Sequence, residues 1–533
     1  MKSISFKNFR RFADFPEFKF GDITILVGGN NAGKSTLVKA LLLVLDNLRS
    51  MKTDLDNLFT QCPVFRFDKN RFHDLSIGSY TQAVNRDNPS GGIHFALSFK
   101  DEYLEEEYSL KLKITNSEGI PGGDALMGYV NKLVIANVSK GITITWIFRE
   151  EDTIPYIQFD VFDGNDETIR VKLQELRAKL NEITNSSAEE NDLAVIIENN
   201  TEADNLRTQI NKYERSLTSS KKGLSLKIPM INEINKISPF MIEDLLNSLL
   251  NIATESTQKY KNEWPKWASP FSEVQKGVKS NASEIAEIIT TLTDILSNNQ
   301  VAYLQAHGVS QRTLYRIGDT SDFVAMTLTD FIGCGAYKDN DIHSFIKKWM
   351  NEFGIGADYK IDIALDEAFT ISIIPESDKN KTFPMANLGM GSIQLMVLLF
   401  ALAKHMKENK GVVFNTPTII IEEPEQNLHP KVQSRLADMF FELNKVWNLK
   451  FIIETHSEYL IRRSQVLVAD PTSVIGFENW DKQIDTEENP FKVYYFPEKN
   501  APYEMIYRND GCFSNEFGSG FFDEASNLAF KLF

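Results

Sequence analysis

A short stretch near the N-terminus has the residue types and spacing needed to hold phosphate groups. Residues 28–36 read GGNNAGKST, which fits the pattern G-x-x-x-x-G-K-[ST]. Glycines let backbone N–H groups approach an anion, and the N-terminus of a following helix adds a favourable dipole. The pattern predicts that Lys34 contacts the β- and γ-phosphates of a nucleotide and that the Ser35 hydroxyl binds Mg²⁺. The predicted contacts from this loop are Gly28, Asn30, Asn31, Ala32, Gly33, Lys34, Ser35 and Thr36.

The segments on either side of this loop have the patterns that such a site requires. Residues 22–27 (DITILV) end in an apolar run typical of a buried strand. Residues 36–48 are rich in Leu, Val and Ala and contain no Gly or Pro, which predicts a helix. A glycine-rich turn can match the loop pattern by chance, but a strand before it and a helix after it favour a nucleoside triphosphate site.

Two carboxylates follow a later predicted strand. Residues 418–425 read TIIIEEPE, so β-prone residues lead directly to Glu422 and Glu423. The carboxyl ends of parallel strands form the ligand-binding edge of an open α/β sheet. We therefore expect Glu422 to hold the Mg²⁺ shell and Glu423 to orient or deprotonate the attacking water. Without the phosphate loop, an exposed strand end would be the simpler interpretation.

A histidine ends another short apolar segment. Residues 449–457 read LKFIIETHS, and His456 follows the predicted strand. A lone histidine is usually structural. At a sheet edge in a chain with the other motifs, His456 is better interpreted as a switch residue that contacts the γ-phosphate.

A second glycine-rich turn precedes the apolar helix predicted over 395–406. Residues 387–394 read NLGMGSIQ and contribute Gly389, Gly391 and Ser392 at a helix start, where anions bind. One phosphate group needs only one such cradle, so the second predicts use on the nucleotide of another subunit. A plain helix N-terminus is the alternative.

The pattern of apolar residues predicts the secondary structure of the rest of the chain. Strands are predicted over 3–6 and 17–20, with a break at Pro16, and a β-rich lobe over 92–163. A strand near 301–304, a helix over 342–353 and strands over 359–364 and 370–374 follow.

Residues 166–298 are predicted to be a helical insertion. Two sets of apolar residues recur at spacings of three and four, which favours a short antiparallel helical hairpin or an ordinary amphipathic pair packed on the body. The two sets are Ile169, Leu173, Leu176, Leu180 and Ile183, and Leu206, Ile210, Tyr213 and Leu217.

Composition indicates a cytoplasmic globular protein without a membrane span. The 533 residues are 42% hydrophobic and 24% charged, and the net charge is −16. That charge argues against a broad DNA-coating surface, although it leaves a local basic groove open. The longest apolar run, 395–403, is about half of the ~20 residues of a membrane helix. The N-terminus has no signal-peptide core, and Cys62, Cys334 and Cys512 lack metal-ligand spacing.

The ordered set of motifs resembles ABC-type ATPase heads. Within them it is most similar to the branch named for the overcoming-lysogenization-defect proteins, which is related to recombination and chromosome-maintenance ATPases. The EEPExxLHP run is its most specific part, and the resemblance covers 1–60 and 300–465. The motifs are KNFR at 7–10, the phosphate loop, LGMG at 388–391, EEPEQNLHP at 422–430 and THS at 455–457.

The resemblance implies an α/β fold, a P-loop NTPase built as an ABC/SMC-like split ATPase head. A β-rich lobe and an inserted helical, coiled-coil hairpin domain would belong to it. The implied domains are the N-terminal part of the head at 1–165, the insertion at 166–298, the C-terminal part of the head at 299–465 and a small C-terminal extension at 466–533.

The resemblance also implies slow ATP hydrolysis with Mg²⁺ in a head-to-tail dimer, or a higher oligomer, that sandwiches two ATP molecules. The phosphate loop of one subunit would face residues 389–392 of the other, and Arg10 or Arg11 would lie near the ribose or base. The usual LSGG signature is altered, because Gly389 stands at the serine position and Met390 at the first glycine. The backbone N–H donors of the signature remain, and Ser392 can supply the hydroxyl of the missing serine. Gln82 is the candidate for the Q-loop residue.

The resemblance implies that a separate partner protein supplies the effector activity. Several relatives carry a C-terminal metal-dependent nuclease domain, whereas residues 457–533 offer no compact acid cluster for two metals. Asp481 and Asp485 come nearest, and a solvated acidic loop fits them better. The chain resembles instead the ATPase subunit of two-gene antiphage systems such as Septu, including those attached to retrons, whose partner is an HNH nuclease. DNA or a nucleic-acid-containing regulator is a further candidate partner.

Three other functions fit the same motifs. The first alternative is a DNA repair or recombination ATPase that acts directly on DNA. A non-hydrolysing structural clamp is the second, and it would require that the Glu423 carboxylate be dispensable. The ATPase of a membrane transporter fits least well, because of the helical insertion and the C-terminal extension.

Overall fold

A computed structural model of the protein describes most of the chain outside the middle region. The described residues are 1–53, 64–67, 77–100, 106–116, 127–148, 156–161, 177, 207, 210, 224–229, 265–266, 268–283, 285–288, 290, 301–305, 312–319, 321–365, 367–410, 417–474, 489–518 and 521–523.

Strands and helices alternate along these residues. Strands β1–β19 are Ser3–Phe9, Phe12–Lys19, Ile23–Gly28, Val64–Arg66, Ile93–Lys100, Glu107–Asn116, Met127–Asn137, Ile142–Ile147, Tyr156–Val161, Leu224–Pro229, Val301–Leu304, Tyr315–Arg316, Asp358–Ala364, Ala368–Ile374, Phe383–Pro384, Thr418–Glu422, Lys450–Glu454, Phe491–Phe496 and Tyr503–Met505. Helices α1–α8 are Lys34–Thr53, Tyr80–Ala83, Phe271–Ser280, Phe323–Gly333, Asn340–Glu352, Met390–Asn409, Pro430–Trp447 and Glu458–Ala469. Short 3₁₀ turns cover Ala336–Lys338, Met385–Asn387 and Pro471–Ser473.

The chain forms two compact units. Unit 1 comprises Met1–Phe18 and Leu43–Ser297, and unit 2 comprises Lys19–Leu42 and Asn298–Phe533. The phosphate loop therefore belongs to the same unit as the motifs of the C-terminal half. The domain boundaries expected at 165, 298 and 465 remain a prediction.

Unit 1 is built on one antiparallel sheet. Its strand order is β10-β9-β8-β7-β6-β5-β1-β2, with β4 paired to β7. The β-rich lobe expected over 92–163 is confirmed, because β5 to β9 pair in sequence. The expected break at Pro16 is wrong. Pro16 lies exposed inside β2, an edge strand, where a missing N–H costs no ladder hydrogen bond.

The expected helical insertion is corrected in part. Strand β10 lies within 166–298 and pairs antiparallel with β9. Its sequence LSLKIP buries Leu226 and Ile228, which is the period of two of a strand. Helix α3 lies on this strand so closely that a Cβ at Gly277 would be 2.5 Å from Leu226. The predicted hairpin over 169–217 lies outside the described residues, except for the helical positions 177, 207 and 210.

Unit 2 is built on a mostly parallel sheet with the order β11-β16-β17-β3-β18-β19. The first five strands run parallel, and β19 is antiparallel at the edge. All six residues of β3 are buried. The expected C-terminal extension is not separate from this sheet, because β18 pairs directly with β3.

Buried helices and a small second sheet complete unit 2. The helices expected over 342–353 and 395–406 are confirmed as α5 and the longer α6. Strands β13 and β14 confirm the pair expected over 359–374. Phe331, Trp349 and Phe400, from α4, α5 and α6, are fully buried in one core. Within the described residues, no helix combines the length and the apolar character needed to cross a membrane.

Candidate nucleotide-binding site

The phosphate loop joins β3 to α1 in the way its sequence predicts. Gly28 has φ +144°, and a Cβ there would clash with the backbone oxygen of Phe496 in β18. Asn31 and Gly33 also have positive φ, at 61° and 110°. Helix α1 begins at Lys34. Since the first N–H groups of a helix lack intrahelical acceptors, the loop presents backbone donors to an anion.

Lys34 is a buried cation enclosed by its own loop and by acidic groups. Its side chain is 3% exposed, and its ammonium donates to the carbonyl oxygens of Gly28 and Gly29 at 3.0 and 3.1 Å. The same nitrogen lies 3.4 Å from Nε2 of His456 and 3.8 Å from Oε1 of Glu454. Burial lowers the pKa of Lys34, and the negative charges of nearby glutamates, first Glu454, oppose that effect. The expected role of Lys34 toward phosphates fits this position.

Glu422 and Glu454 end neighbouring strands at the same level. They are register partners in the parallel pair β16 and β17. The Ser35 hydroxyl donates to Oε1 of Glu454 at 3.3 Å, whereas Oε2 of Glu454 is buried and has no hydrogen-bond partner in the described part of the chain. Burial raises the pKa of Glu454 to about 7, helped by the charge of Glu422 and opposed by Lys34. The sheet therefore carries two neighbouring carboxylates, and that of Glu454 contacts Ser35.

Glu423 leaves the sheet in a strained backbone conformation. Its φ of 43° is uncommon for a residue with a side chain. Its N–H donates to the backbone oxygen of Glu454 at 2.7 Å, which fixes the turn against β17. Its carboxylate accepts a hydrogen bond from Gln426 and lies 3.8 Å from Nε2 of His456. These contacts hold the carboxylate beside His456, and its role as a general base remains a prediction.

His456 is held by its backbone. Its N–H donates to Oε1 of the buried Glu425 at 2.6 Å. Burial and the charge of Lys34 lower the pKa of His456, and Glu423 opposes them. Its Nε2 lies 3.4 Å from the ammonium of Lys34 and 3.8 Å from the carboxylate of Glu423. The structure thus brings together the phosphate loop, Glu422, Glu423 and His456, as the sequence predicted.

The glycine-rich turn at 387–394 is the start of a long helix. Gly389 is the N-cap of α6, and the helix runs 20 residues from Met390. A Cβ at Gly389 would meet no atom within 4 Å, whereas one at Gly391 would lie 2.5 Å from the backbone oxygen of Asn427. Ser392 lies in the first turn. A helix therefore begins at this turn, as expected, with open space at Gly389, and binding of an anion there remains a prediction.

The predicted ribose or base contacts belong to unit 1. Arg10 lies in the turn between β1 and β2 with φ 52°, and its N–H donates to the backbone oxygen of Ala83 at 2.6 Å. Burial lowers the pKa of Arg10. Arg11 lies over the ring of Phe12 at 5.6 Å. Gln82 lies exposed in the short helix α2. The roles of Arg10, Arg11 and Gln82 toward a nucleotide remain predictions.

Sequence reasoning missed two acidic residues of the site. Glu454 ends a strand in the same way as Glu422, so the argument that selected Glu422 would have selected it as well. Glu425 is buried, which raises its pKa, and it anchors the histidine turn. No sequence signal distinguished Glu425 from a solvent-exposed loop acid.

The residues at this edge fit a nucleotide with Mg²⁺. A buried carboxylate oxygen without a partner, next to a serine hydroxyl, is a hard oxygen ligand of the kind that Mg²⁺ prefers. In the described chain, no cluster of three or more His, Cys, Asp or Glu side chains forms a ready metal cage. That is compatible with Mg²⁺, which is usually held by one or two carboxylates and by substrate phosphates. When bound, Mg²⁺ would neutralise charge on those phosphates, and Ser35 and Glu422 are the residues expected to hold it.

Comparison with known proteins agrees with this site. A family model described as an AAA ATPase domain matches residues 1–461. The chain is similar to the Smc head domain with an extended coiled coil bound to the C-terminal domain of ScpA from Pyrococcus furiosus, at 11% identity and a TM-score of 0.35, over 100% of this chain and 98% of that one. It is also similar to the SMC head domain from Thermotoga maritima, at 9% identity and a TM-score of 0.35, over 95% and 98%. No curated protein matches the chain.

The two TM-scores are too low to carry an argument, so the assignment rests on the family match and on the site. The match spans most of the chain and includes the phosphate loop, both strand-end glutamates and His456. The protein therefore belongs to the AAA ATPase domain family and is an ATP-hydrolysing enzyme.

Proposed function

We propose that this ATPase is the nucleotide-dependent subunit of a bacterial antiphage complex, in which dimerisation around ATP regulates a separate nuclease. The open helix start at Gly389 carries the proposal. Met390, the first residue of that helix, is 54% exposed, and the space above Gly389 is clear. Backbone donors at an open helix start suit an anion that arrives from outside the subunit. The γ-phosphate of an ATP held by a second copy would satisfy them.

A contact at this open turn can influence the catalytic glutamate. Gly391 packs against the backbone of Asn427, which has φ 57°. Asn427 directly follows Gln426, which donates a hydrogen bond to Glu423. A second copy that binds at Gly389 would therefore press on the segment that holds the general base. This connection supports slow hydrolysis that depends on assembly.

The nuclease partner rests on the resemblance of the motif set to ATPase subunits of two-gene antiphage systems. A separate HNH nuclease is the expected effector there. The net charge of −16 disfavours extensive direct binding to DNA and is compatible with a regulatory subunit. A DNA or nucleic-acid-containing regulator would then act through a local groove or through the partner.

Dimerisation can be tested on a variant that retains ATP. Glu423→Gln should bind ATP without turning it over, and with ATP and Mg²⁺ its mass by mass photometry should double. Gly389→Arg adds a side chain where the structure has open space, so the fold should be unchanged. The double variant should still bind ATP but remain a monomer. ATP-dependent doubling in the double variant would contradict use of this turn at the dimer interface.

The partner can be identified with the same Glu423→Gln variant, which should bind ATP without hydrolysing it. Tagged Glu423→Gln is expressed in its native host, and the proteins that co-purify are identified by mass spectrometry. A stoichiometric nuclease would support the proposal. Recovery of DNA with repair proteins and without a nuclease would favour the DNA repair or recombination ATPase instead.

A further inference from the structure

Glu454 lies among the expected site residues, although the sequence assigned no role to it. It ends β17, which lies between β16 and β3 in the sheet of unit 2. Its register partners are Glu422 in β16 and Leu26 in β3. The residue therefore lies between the strand that carries the expected magnesium carboxylate and the strand that leads into the phosphate loop.

The contacts of Glu454 are incomplete for a structural carboxylate. Glu454 is 7% exposed, and its Oε1 accepts a hydrogen bond from the Ser35 hydroxyl at 3.3 Å. The Lys34 ammonium is 3.8 Å away, beyond hydrogen-bond distance. The other oxygen, Oε2, is buried and has no hydrogen-bond partner in the described residues. A buried charged oxygen without a partner is costly, unless another ligand satisfies it.

Two other buried carboxylates in the same unit, those of Asp438 and Glu442, are satisfied by the protein. Asp438 accepts two hydrogen bonds from Arg463, at 2.9 and 2.7 Å. Glu442 accepts from Lys348 at 2.6 Å and from the indole of Trp349 at 3.1 Å. These two acids have purely structural partners, whereas Glu454, whose Oε1 contacts Ser35 of the phosphate loop, has no partner for Oε2 in the described residues. A cation is the simplest group that would complete it.

We propose that Glu454 is a second carboxylate of the magnesium site and acts with Ser35 and Glu422 on the cation that accompanies ATP. The oxygen of a serine and two carboxylates, with waters and phosphate oxygens, match the hard ligands that Mg²⁺ takes. Glu454 then has two tasks. It fixes the Ser35 hydroxyl through Oε1, and it offers Oε2 to the ion or to a water of its shell. This inference rests on ATP hydrolysis alone and is independent of the proposed nuclease.

The test measures how nucleotide binding depends on the Mg²⁺ concentration. All variants carry Glu423→Gln, so that no ATP is consumed. Binding of a fluorescent ATP analogue is titrated with Mg²⁺ and repeated in EDTA. Adding Glu454→Gln should raise the Mg²⁺ concentration at half-saturation by about tenfold or more. Affinity in EDTA should stay the same or rise, because a negative charge near the phosphates is removed. Electron paramagnetic resonance of Mn²⁺ with ATP should show a matching loss of bound metal.

Glu425→Gln in the same background is the matched control. Glu425 is equally buried, and its Oε2 also lacks a partner in the described chain, but its Oε1 accepts from the backbone N–H of His456 rather than from Ser35. This change should shift the Mg²⁺ midpoint by less than about threefold. An equal shift in both variants would overturn the proposal, because a general charge effect would then explain it.

Two further outcomes would also overturn the proposal. An unchanged Mg²⁺ midpoint with weaker binding in EDTA would make Glu454 a residue that only positions Lys34. An unchanged midpoint in Glu454→Asp, tested alongside in case the Gln variant fails to fold, would have the same meaning, since the shorter side chain should reach the ion less well. Failure of the Glu423→Gln parent to bind ATP would instead refute ATP binding at the phosphate loop.

Discussion

Glu422 and Glu454 are register partners at the carboxyl ends of two adjacent parallel strands, β16 and β17. The next strand, β3, ends at Gly28 and leads into the phosphate loop. Three consecutive strands of the sheet thus deliver two carboxylates and a phosphate-binding loop to one place. This geometry explains why a buried lysine and several buried or half-buried glutamates coexist in a small volume.

Lys34→Met should abolish tight ATP binding. The ammonium lies at the centre of the loop and is the cation closest to Glu454 and His456 in the site. A charge-assisted hydrogen bond is worth about 1.5–3 kcal/mol, so affinity should fall by about 10- to 150-fold. Equilibrium binding of a fluorescent ATP analogue measures this. A melting curve of the free protein checks that the variant is folded, and affinity within threefold of wild type would contradict the assignment.

Glu423→Gln should bind ATP normally and hydrolyse it at least about 100-fold more slowly. The carboxylate that would accept the proton of water is lost, and general-base catalysis contributes about 10²- to 10⁴-fold. The amide keeps the size of the side chain. Release of phosphate under single-turnover conditions measures the chemical step. A rate reduced less than tenfold would assign the base to another residue.

Gly28→Ala should destabilise unit 2, whereas Gly29→Ala should not. Gly28 has φ +144°, and its Cβ would clash with the backbone of Phe496. Overpacking of this kind costs about 1–3 kcal/mol. A Cβ at Gly29 would meet its nearest atom, in Glu498, at 3.9 Å. Denaturant unfolding should separate the two variants, and equal stability of both would contradict the close packing of β18 on the loop.

Asp339→Asn should lower stability near neutral pH and lose that effect in acid. Asp339 is the N-cap of α5 and pairs with Lys407 and Lys410 at 3.1 and 2.9 Å. The Lys410 hydrogen bond is the largest cause that lowers the pKa of Asp339 to about 2. A lowered pKa stabilises the fold above the unfolded value of about 3.8, and the contribution disappears as the pH falls toward 2.

Melting curves at pH 7, 4 and 3 test this dependence. Asparagine keeps the cap and removes the charge, so the difference from wild type should be about 0.5–1 kcal/mol at pH 7 and smaller at pH 3. Asp339→Ala also removes the cap and should cost about 1 kcal/mol more at every pH. A difference between Asn and wild type that stays constant with pH would contradict the lowered pKa.

The sequence alone determined the chemistry of the phosphate loop. The pattern at 28–36, the strand before it and the helix after it lie within one local stretch, so period and residue type were sufficient. The same holds for Glu422, Glu423 and His456, each of which lies at the end of a short apolar strand or within two residues of it. Local signals of this kind also gave the β-rich lobe and helices α5 and α6.

Only the tertiary structure decided which strands lie side by side. The parallel neighbours of β3 are β17, more than 400 residues later, and β18, which the sequence placed in a separate extension. That order puts Glu454 beside Ser35, and it places Phe496 against Gly28. Strand β10 was missed in the expected helical insertion for a related reason, because a six-residue strand is stabilised by its partner β9 rather than by local propensity. Strand pairing is set by packing between distant segments, and no local pattern in the chain encodes it.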